Sequence, residues 1–405
     1  MFKLLFLTLY SLGFSSLIQV DKAWDDRINL SSSKYQDMSE SARRNELDNL
    51  QYILKNPDNL ISKEFSIPSG LKDRVLFWAK IYALYPSSLS VIHDVDDLSL
   101  VYKVVNTNVA NTEKGKIRIV LNKIQAAGGV KNFVPATPEE KRIRNLVRRR
   151  ATPPGNLRVQ EGQKDKIITG IQTSSRYLPL IEQIFKEDNL PWELTRIPFV
   201  ESSFNIQASS KVGAKGVWQI IDTTGKKLMT TGLVYDERYS PFKAGAVAAK
   251  LLKENYSILH DWPLAITAYN HGPTGLKKAS QKLKTKDIAK IISNYEGRNF
   301  GFASQNFYCE FLAALYVTVY SERLFGHLEK NPPLNFYYVY IEKDTYISKL
   351  SHVSGLSMAD IVNYNHEFNK KILSGEVAIK AGTTIKLPPR ASYKVDNYFV
   401  RISNR

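Results

Sequence analysis

Residues 197–221, IPFVESSFNIQASSKVGAKGVWQII, set one acid, Glu201, at the end of an apolar run and just ahead of a polar turn containing glycine. Ile197, Pro198, Phe199 and Val200 precede it, and no other Asp or Glu follows until Asp222. Leu194, Ile197 and Glu201 are spaced three and four apart, which puts the carboxyl in line with the apolar stripe of a helix that Pro191 opens and Pro198 kinks. A carboxyl group held against apolar neighbours loses solvation of its charged form, and its pKa rises. Such a group is protonated when an acid is needed. The local pattern fits a second reading equally, a glutamate that caps or bridges a helix end. Downstream, Gly213 and Gly216 allow backbone conformations closed to other residues, and Gln219 offers both a donor and an acceptor.

Working outward, the surroundings read as helices. The segment QKDKIITGIQTSSRYLPLIEQIFKEDN, 163–189, predicts one or two. Ser240 and Pro241 start another, rich in small residues that permit close packing. WPLAITAYNHGP, 262–273, predicts a helix that Gly272 and Pro273 end, leaving Tyr269, Asn270 and His271 at its terminus. Taken alone, that trio suits a helix cap better than a site.

The chain has 405 residues, 43% apolar and 11% aromatic, which argues for several globular domains. Residues 1–20 (MFKLLFLTLYSLGFSSLIQV) carry Lys3 and then an apolar segment that suits a secretory signal peptide, so export to the periplasm or cell envelope is expected. No small-x-small triplet marks a cleavage site, which keeps an uncleaved anchor open. Cys309 is the single cysteine and stands far from the N-terminus, so neither internal disulfides nor a lipid anchor is expected. A net charge of +17 favours an anionic partner, for an exported protein an envelope polymer or lipid head group rather than nucleic acid. In the region 21–154, SESARRNELDNLQYILKN (39–56) and VLFWAKIYALY (75–85) predict helices, and LSVIHDVDDLSLVYKVV predicts a hairpin turning at Asp96 and Asp97. His93 and Asp94 read as structural, and no metal or other cofactor is expected. The run Glu139–Arg150 predicts a basic amphipathic helix, either a solvated face or a contact to an anionic wall or membrane surface. ATPPGN places a boundary near residue 155, and EKNPPLN, 329–335, places another.

Three motifs in order, ESSFN at Glu201 and Ser202, GAKGVWQI, and AYNHG, resemble the catalytic domain of soluble lytic transglycosylases, closest to the membrane-bound type D. The resemblance covers about residues 156–325. It implies a mainly α chain with a helical, lysozyme-like catalytic domain at 155–328, cleaving the β-1,4 bond between N-acetylmuramic acid and N-acetylglucosamine in peptidoglycan. Glu201 matches the family's acid/base, Ser202 belongs to the same motif, and Ser210 matches a serine near the reaction centre. Gln219, Tyr269 and Asn270 match sugar-binding positions. A conventional glycosidase flanks the bond with two carboxylates roughly 5–9.5 Å apart. A transglycosylase works with one, because the muramic acid 6-hydroxyl closes onto C1 as a 1,6-anhydro ring. Two departures stand out: Val217 and Trp218 replace a Leu-Met pair, and Phe307, with Tyr308 beside it, stands where the family has a late tyrosine. Cys309 reads as a small buried residue.

The C-terminal segment 335–390 reads strand, helix, helix, strand, and this βααβ order resembles the LysM glycan-binding module. KDTYISKLS and IVNYN stand at its signal positions, with Lys343, Tyr346 and Tyr364 departing from the usual residues. A degenerate packing module is the competing reading. For the whole chain the alternatives are a lysozyme-type muramidase on the same fold and a non-catalytic wall-binding scaffold.

Overall fold

The computed structural model describes residues 40–148, 156–391 and 400–402; the leader at 1–20, Ser39 and the break at 151–155 lie outside them. The chain is mainly helical, with two small antiparallel sheets. Helix α1 (Glu40–Lys55) buries Leu50 and Ile53, and α2 (Lys72–Ala83) buries Phe77, Trp78, Ile81 and Tyr82. The expected hairpin follows as β1 (Leu89–Asp94) and β2 (Val101–Asn106). Its turn is closed by the Asp94 carboxylate, which accepts the N–H groups of Asp96 and Asp97 at 2.9 and 3.0 Å. After α3 (Ala110–Ala126) and α4 (Pro138–Val147), β3 (Leu157–Glu161) pairs with the open side of β1 and completes the order β2-β1-β3. β1 is thereby buried along its whole length, as a central strand should be.

Helix α4 begins with a capping box between Thr137 and Glu140 and has Pro138 in its first turn. Its two arginines are engaged within the chain. Arg142 forks onto Glu139 at 2.8 and 2.7 Å and donates to the Tyr102 carbonyl at 2.6 Å, and Arg144 donates to Val130 at 3.2 Å. Lys141 and Arg148 remain exposed; Arg149 and Arg150 fall outside the described residues.

The chain continues through α5 (Lys164–Ser174), α6 (Leu178–Glu187), α7 (Ile197–Ser202), α8 (Asp222–Leu228) and α9 (Pro241–Leu259). Then come α10 (Trp262–His271), α11 (Pro273–Leu283), α12 (Ile288–Asn294), α13 (Phe302–Val319) and α14 (Ser321–Phe325). The C-terminal part consists of β4 (Tyr337–Tyr340), α15 (Ile347–Ser354), α16 (Met358–Tyr364), α17 (Lys370–Leu373), β5 (Thr384–Leu387) and β6 (Val400–Ile402). The βααβ order is present, with α17 inserted and β6 added beyond β4 to give the sheet order β5-β4-β6.

Two compact units cut across the linear segments 21–154, 155–328 and 335–390. One joins the residues up to Thr169 with Asn255–Leu328; the other joins Gly170–Glu254 with the residues from Glu329 onward. In the first, α13 is buried on all sides from Asn306 to Val317 and packs against α2 and α10. Asn306 ties it to α2, accepting from Trp78 Nε1 and Arg74, each at 3.2 Å. A helix buried on every face belongs at the centre of such a unit. No helix among the described residues is long and apolar enough to cross a membrane.

In the second unit, Val339, Ile341, Leu350, Ile361 and Ile385 form a core against which Val234 and Tyr235 also pack. The segment that reads as a linker, 329–335, is pinned: Asn331 Nδ2 donates to Gln172 at 3.0 Å and Leu334 N–H to Arg176 at 2.9 Å. Asp236 N–H donates to the Glu367 carbonyl at 2.9 Å, and the Tyr177 hydroxyl meets His366 Nε2 at 2.8 Å.

Candidate active site

Glu201 is the penultimate residue of α7, whose start differs from the sequence expectation. No single helix runs through Leu194 and Glu201 with a kink at Pro198. A 3-10 turn, Trp192–Arg196, follows Pro191 and gives way to α7 at Ile197, so Pro198 sits in the first helical turn. There its missing N–H removes no helical bond, and the proline starts the helix instead of bending it. α7 ends at Ser203 and Phe204, both left-handed with φ of 51° and 59°. That conformation costs about 1–2 kcal/mol per residue. Complete burial of the Phe204 ring, beside Phe199 and stacked on Tyr177, contributes about 1.5–3 kcal/mol and offsets much of it. The N–H groups of Ser203 and Phe204 cap the last carbonyls, those of Phe199 and Pro198. Gly170 of α5 makes room for this end of α7: a Cβ there would lie 2.3 Å from the Ser203 carbonyl oxygen.

The Glu201 side chain is half-buried, and burial pushes its pKa up to about 8. Among the described residues no hydrogen bond or ion pair reaches it, so it does not cap or bridge the helix end. At neutral pH it is therefore mostly a neutral acid.

Ser202 donates to the Val217 carbonyl at 3.0 Å and to Pro198 at 3.2 Å, tying α7 to the loop 208–220. Ser210 N–H donates to the Ala214 carbonyl at 2.8 Å while its Oγ accepts the Ala214 N–H at 2.9 Å, which leaves the Ser210 hydroxyl proton available. Gln219, at φ 47°, donates its Nε2 to the Gly216 carbonyl at 2.8 Å and keeps its amide oxygen available as an acceptor. Trp218, fully buried, anchors the loop by stacking on Phe185 of α6 and donating to the Pro241 carbonyl at 3.1 Å.

Sequence reasoning missed the buried pair behind this loop. Arg238 and Asp236, 3% and 5% exposed, meet through a two-bond fork at 2.9 and 2.8 Å. Burial pushes the Asp236 carboxyl up, but its bonds to Arg238 and Lys215 outweigh that and hold it below the usual carboxylate range. The only signal in the sequence is an Asp-Glu-Arg run ahead of a helix, with no periodicity to mark it.

Tyr269 and Asn270 belong to the other unit. Tyr269 stacks on Phe307 at 6.4 Å. Asn270 Oδ1 accepts the Ser304 hydroxyl at 3.1 Å, and Ser304 Oγ also meets His271 Nδ1 at 3.1 Å. The amide of Asn270 is thus oriented by α13 and does not cap its own helix. Phe307, not Tyr308, lies beside Tyr269. The Tyr308 ring is buried against Phe311, and its hydroxyl has no hydrogen-bond partner among the described residues. Cys309 is a small buried residue whose thiol burial pushes up to about 12. His93 is fully buried between Phe77 and Phe302, bonded to the Asp94 carbonyl at 2.7 Å and pushed down to about 4 by burial, a neutral structural histidine. Among the described residues no group of His, Cys, Asp and Glu could hold a metal ion.

A match to a family model covers the stretch that holds all six candidate residues. Residues 179–292 match the transglycosylase SLT domain. Curated proteins align with this chain over 112 residues, 27% of it. The membrane-bound lytic murein transglycosylase D of Escherichia coli K12 is 33% identical there, and a putative tributyltin chloride resistance protein of Alteromonas sp. is 30% identical. The alignment spans 25% of the first relative and 54% of the second. Among solved structures, the 70 kDa soluble lytic transglycosylase SLT70 of Escherichia coli superposes with a TM-score of 0.33 at 13% identity, covering 76% of this chain and 52% of that one. The SLT match begins in α6 and ends in α12; α13 and the C-terminal part lie outside it.

Proposed function

We propose that the chain is an exported lytic transglycosylase acting on peptidoglycan in the periplasm or cell envelope, with Glu201 as its single acid/base. The observation that carries this reading is a half-buried glutamate inside an SLT-matched segment, pushed up to about 8 by burial alone. Neutral Glu201 protonates the glycosidic oxygen as the bond to C1 of muramic acid breaks. The resulting carboxylate takes the proton of the muramic acid 6-hydroxyl, whose oxygen bonds to C1 and closes the 1,6-anhydro ring. Glu201 is then neutral again, and no water is consumed. Holding the 6-hydroxyl near C1 replaces a bimolecular attack by an intramolecular one. Ser210 and Gln219 offer the sugar a donor and an acceptor, and Tyr269 and Asn270 serve as further sugar-binding groups. We read 335–390 as a LysM-like glycan-binding module.

Digestion of purified peptidoglycan and weighing of the products tests this reading. A 1,6-anhydro end is lighter by one water than a reducing end. Reducing ends alone would make the protein a muramidase, and no cleavage with retained wall binding would make it a scaffold.

A further inference from the structure

The loop that carries Ser210 and Gln219 turns at two glycines with φ of 84° and 71°, Gly213 and Gly216, and both are gripped by one residue outside it. Arg238 Nη1 donates to the Gly213 carbonyl at 3.0 Å. The Arg238 carbonyl oxygen faces Gly216 so closely that a Cβ there would lie 1.9 Å away. Between the two glycines, Lys215 Nζ reaches the Asp236 carboxylate at 3.0 Å, the same carboxylate that fixes the plane of the guanidinium. Ser210 stands three residues before the first grip, and Gln219 three after the second. A buried guanidinium is tolerated only when its donors are met. Lysine could keep the charge but not the planar fork that serves a carboxylate and a carbonyl together.

We propose that Arg238, held by Asp236, is the positioning residue of the loop 208–220 and acts on the reaction through Ser210 and Gln219. This rests on the transglycosylase reading and extends it to a pair that touches neither substrate nor Glu201.

Arg238→Lys and Lys215→Gln are the variants to make in the full chain, the second because Lys215 is partly exposed and its loss leaves the Arg238 fork in place. Folding is checked by circular dichroism, and kcat and KM are read from release of 1,6-anhydro ends. A folded Arg238→Lys is expected to lose about 10- to 100-fold in kcat/KM, and Lys215→Gln about 3- to 10-fold. The loss from Arg238→Lys should shrink to less than 3-fold in a Ser210→Ala/Gln219→Ala background, because the two side chains through which it acts are then gone. A purely structural role would cost the same in both backgrounds and would overturn the proposal. So would a folded Arg238→Lys within 2-fold of the parent. If Arg238→Lys does not fold, Lys215→Gln decides by the same comparison. Amide hydrogen exchange at Gly213, Lys215, Gly216 and Gln219 separates this proposal from the functional reading. It should speed up in the variants even if the parent releases no anhydro ends, and unchanged exchange would refute the positioning role itself.

Discussion

Glu201 is held in a protonation state that the unfolded chain does not share. Its folded pKa of about 8 lies above the ordinary value of 4.5, so between those pH values the folded chain binds more protons than the unfolded one. Stability contributed at this site is therefore fully present below about pH 4.5, falls as pH rises, and is lost above about pH 8. Glu201→Gln removes that dependence. After allowance for partial solvent access, the variant should be more stable than the parent at pH 9 by on the order of 2 kcal/mol and similar to it at pH 4.5. The same substitution should lower anhydro-end release by about 10²- to 10⁴-fold. Urea unfolding at the two pH values, beside the product assay, reads both effects; equal stability at pH 9 would contradict the burial argument. In the parent, the cleavage rate should fall as pH rises through about 8, where the acid loses its proton. At this scale the sequence was informative about environment: an acid closing an apolar run gave the direction of its pKa. Arg238 was not legible, because its contacts are to Gly213 and Gly216, more than twenty residues away in the chain.

At the scale of elements, two helix glycines differ only in what surrounds them. Gly115 in α3 has open space where a Cβ would stand, whereas Gly170 in α5 faces the Ser203 carbonyl at 2.3 Å, at the end of the helix that carries Glu201. Gly115→Ala should stabilise by about 0.4–1 kcal/mol, since it restricts the unfolded chain and improves helix propensity. Gly170→Ala should destabilise by about 1–3 kcal/mol and displace α7, lowering cleavage as well. Thermal melts and the product assay of the two variants decide; a stabilising Gly170→Ala would mean that α5 and α7 are not tightly joined. The same contrast explains what the sequence disclosed. α1, α2, the hairpin and the helices α9 and α10 follow from periodicity, caps and turn chemistry, all of them local. β3 was missed because its partner β1 lies far back in the chain, beyond α3 and α4. The start of α7 was misread because a proline fits a kink in one helix and the first turn of another equally well. Arg142 and Arg144 read as an outward basic face because nothing local discloses the carbonyls of Tyr102 and Val130.

At the scale of the whole molecule, part of the +17 charge lies in one exposed stretch without ion pairs among the described residues. Lys277, Lys278, Lys282, Lys284, Lys286 and Lys290 of α11, α12 and the turn between them are exposed, and none has an ion pair among the described residues. Peptidoglycan sedimentation by the protein should weaken with salt, and Lys278→Glu/Lys282→Glu/Lys284→Glu should weaken it further while flattening that dependence; sedimentation unaffected by either change would remove charge from the account. The C-terminal part calls for a different expectation from that of a module on a tether. A tethered module raises local substrate concentration and can be cut away at little cost to its neighbour. Here the segment from Glu329 onward belongs to one compact unit with Gly170–Glu254, and its core includes Val234 and Tyr235. Its Glu367 carbonyl accepts the N–H of Asp236, the residue that forks onto Arg238 behind the loop 208–220. Within it, the Lys386 ammonium and Glu367 carboxylate form a fully buried ion pair, and Asn365 bridges the Ile361 and Lys386 carbonyls. Truncation after Leu334 would expose Val234, Tyr235 and Tyr177 and remove the acceptor of Asp236. The truncated chain should therefore unfold at lower temperature and lose cleavage even of short soluble glycan fragments that need no wall anchoring. A truncated protein that melts like the parent and cleaves such fragments at the parental rate would show that the C-terminal part serves only to hold the wall.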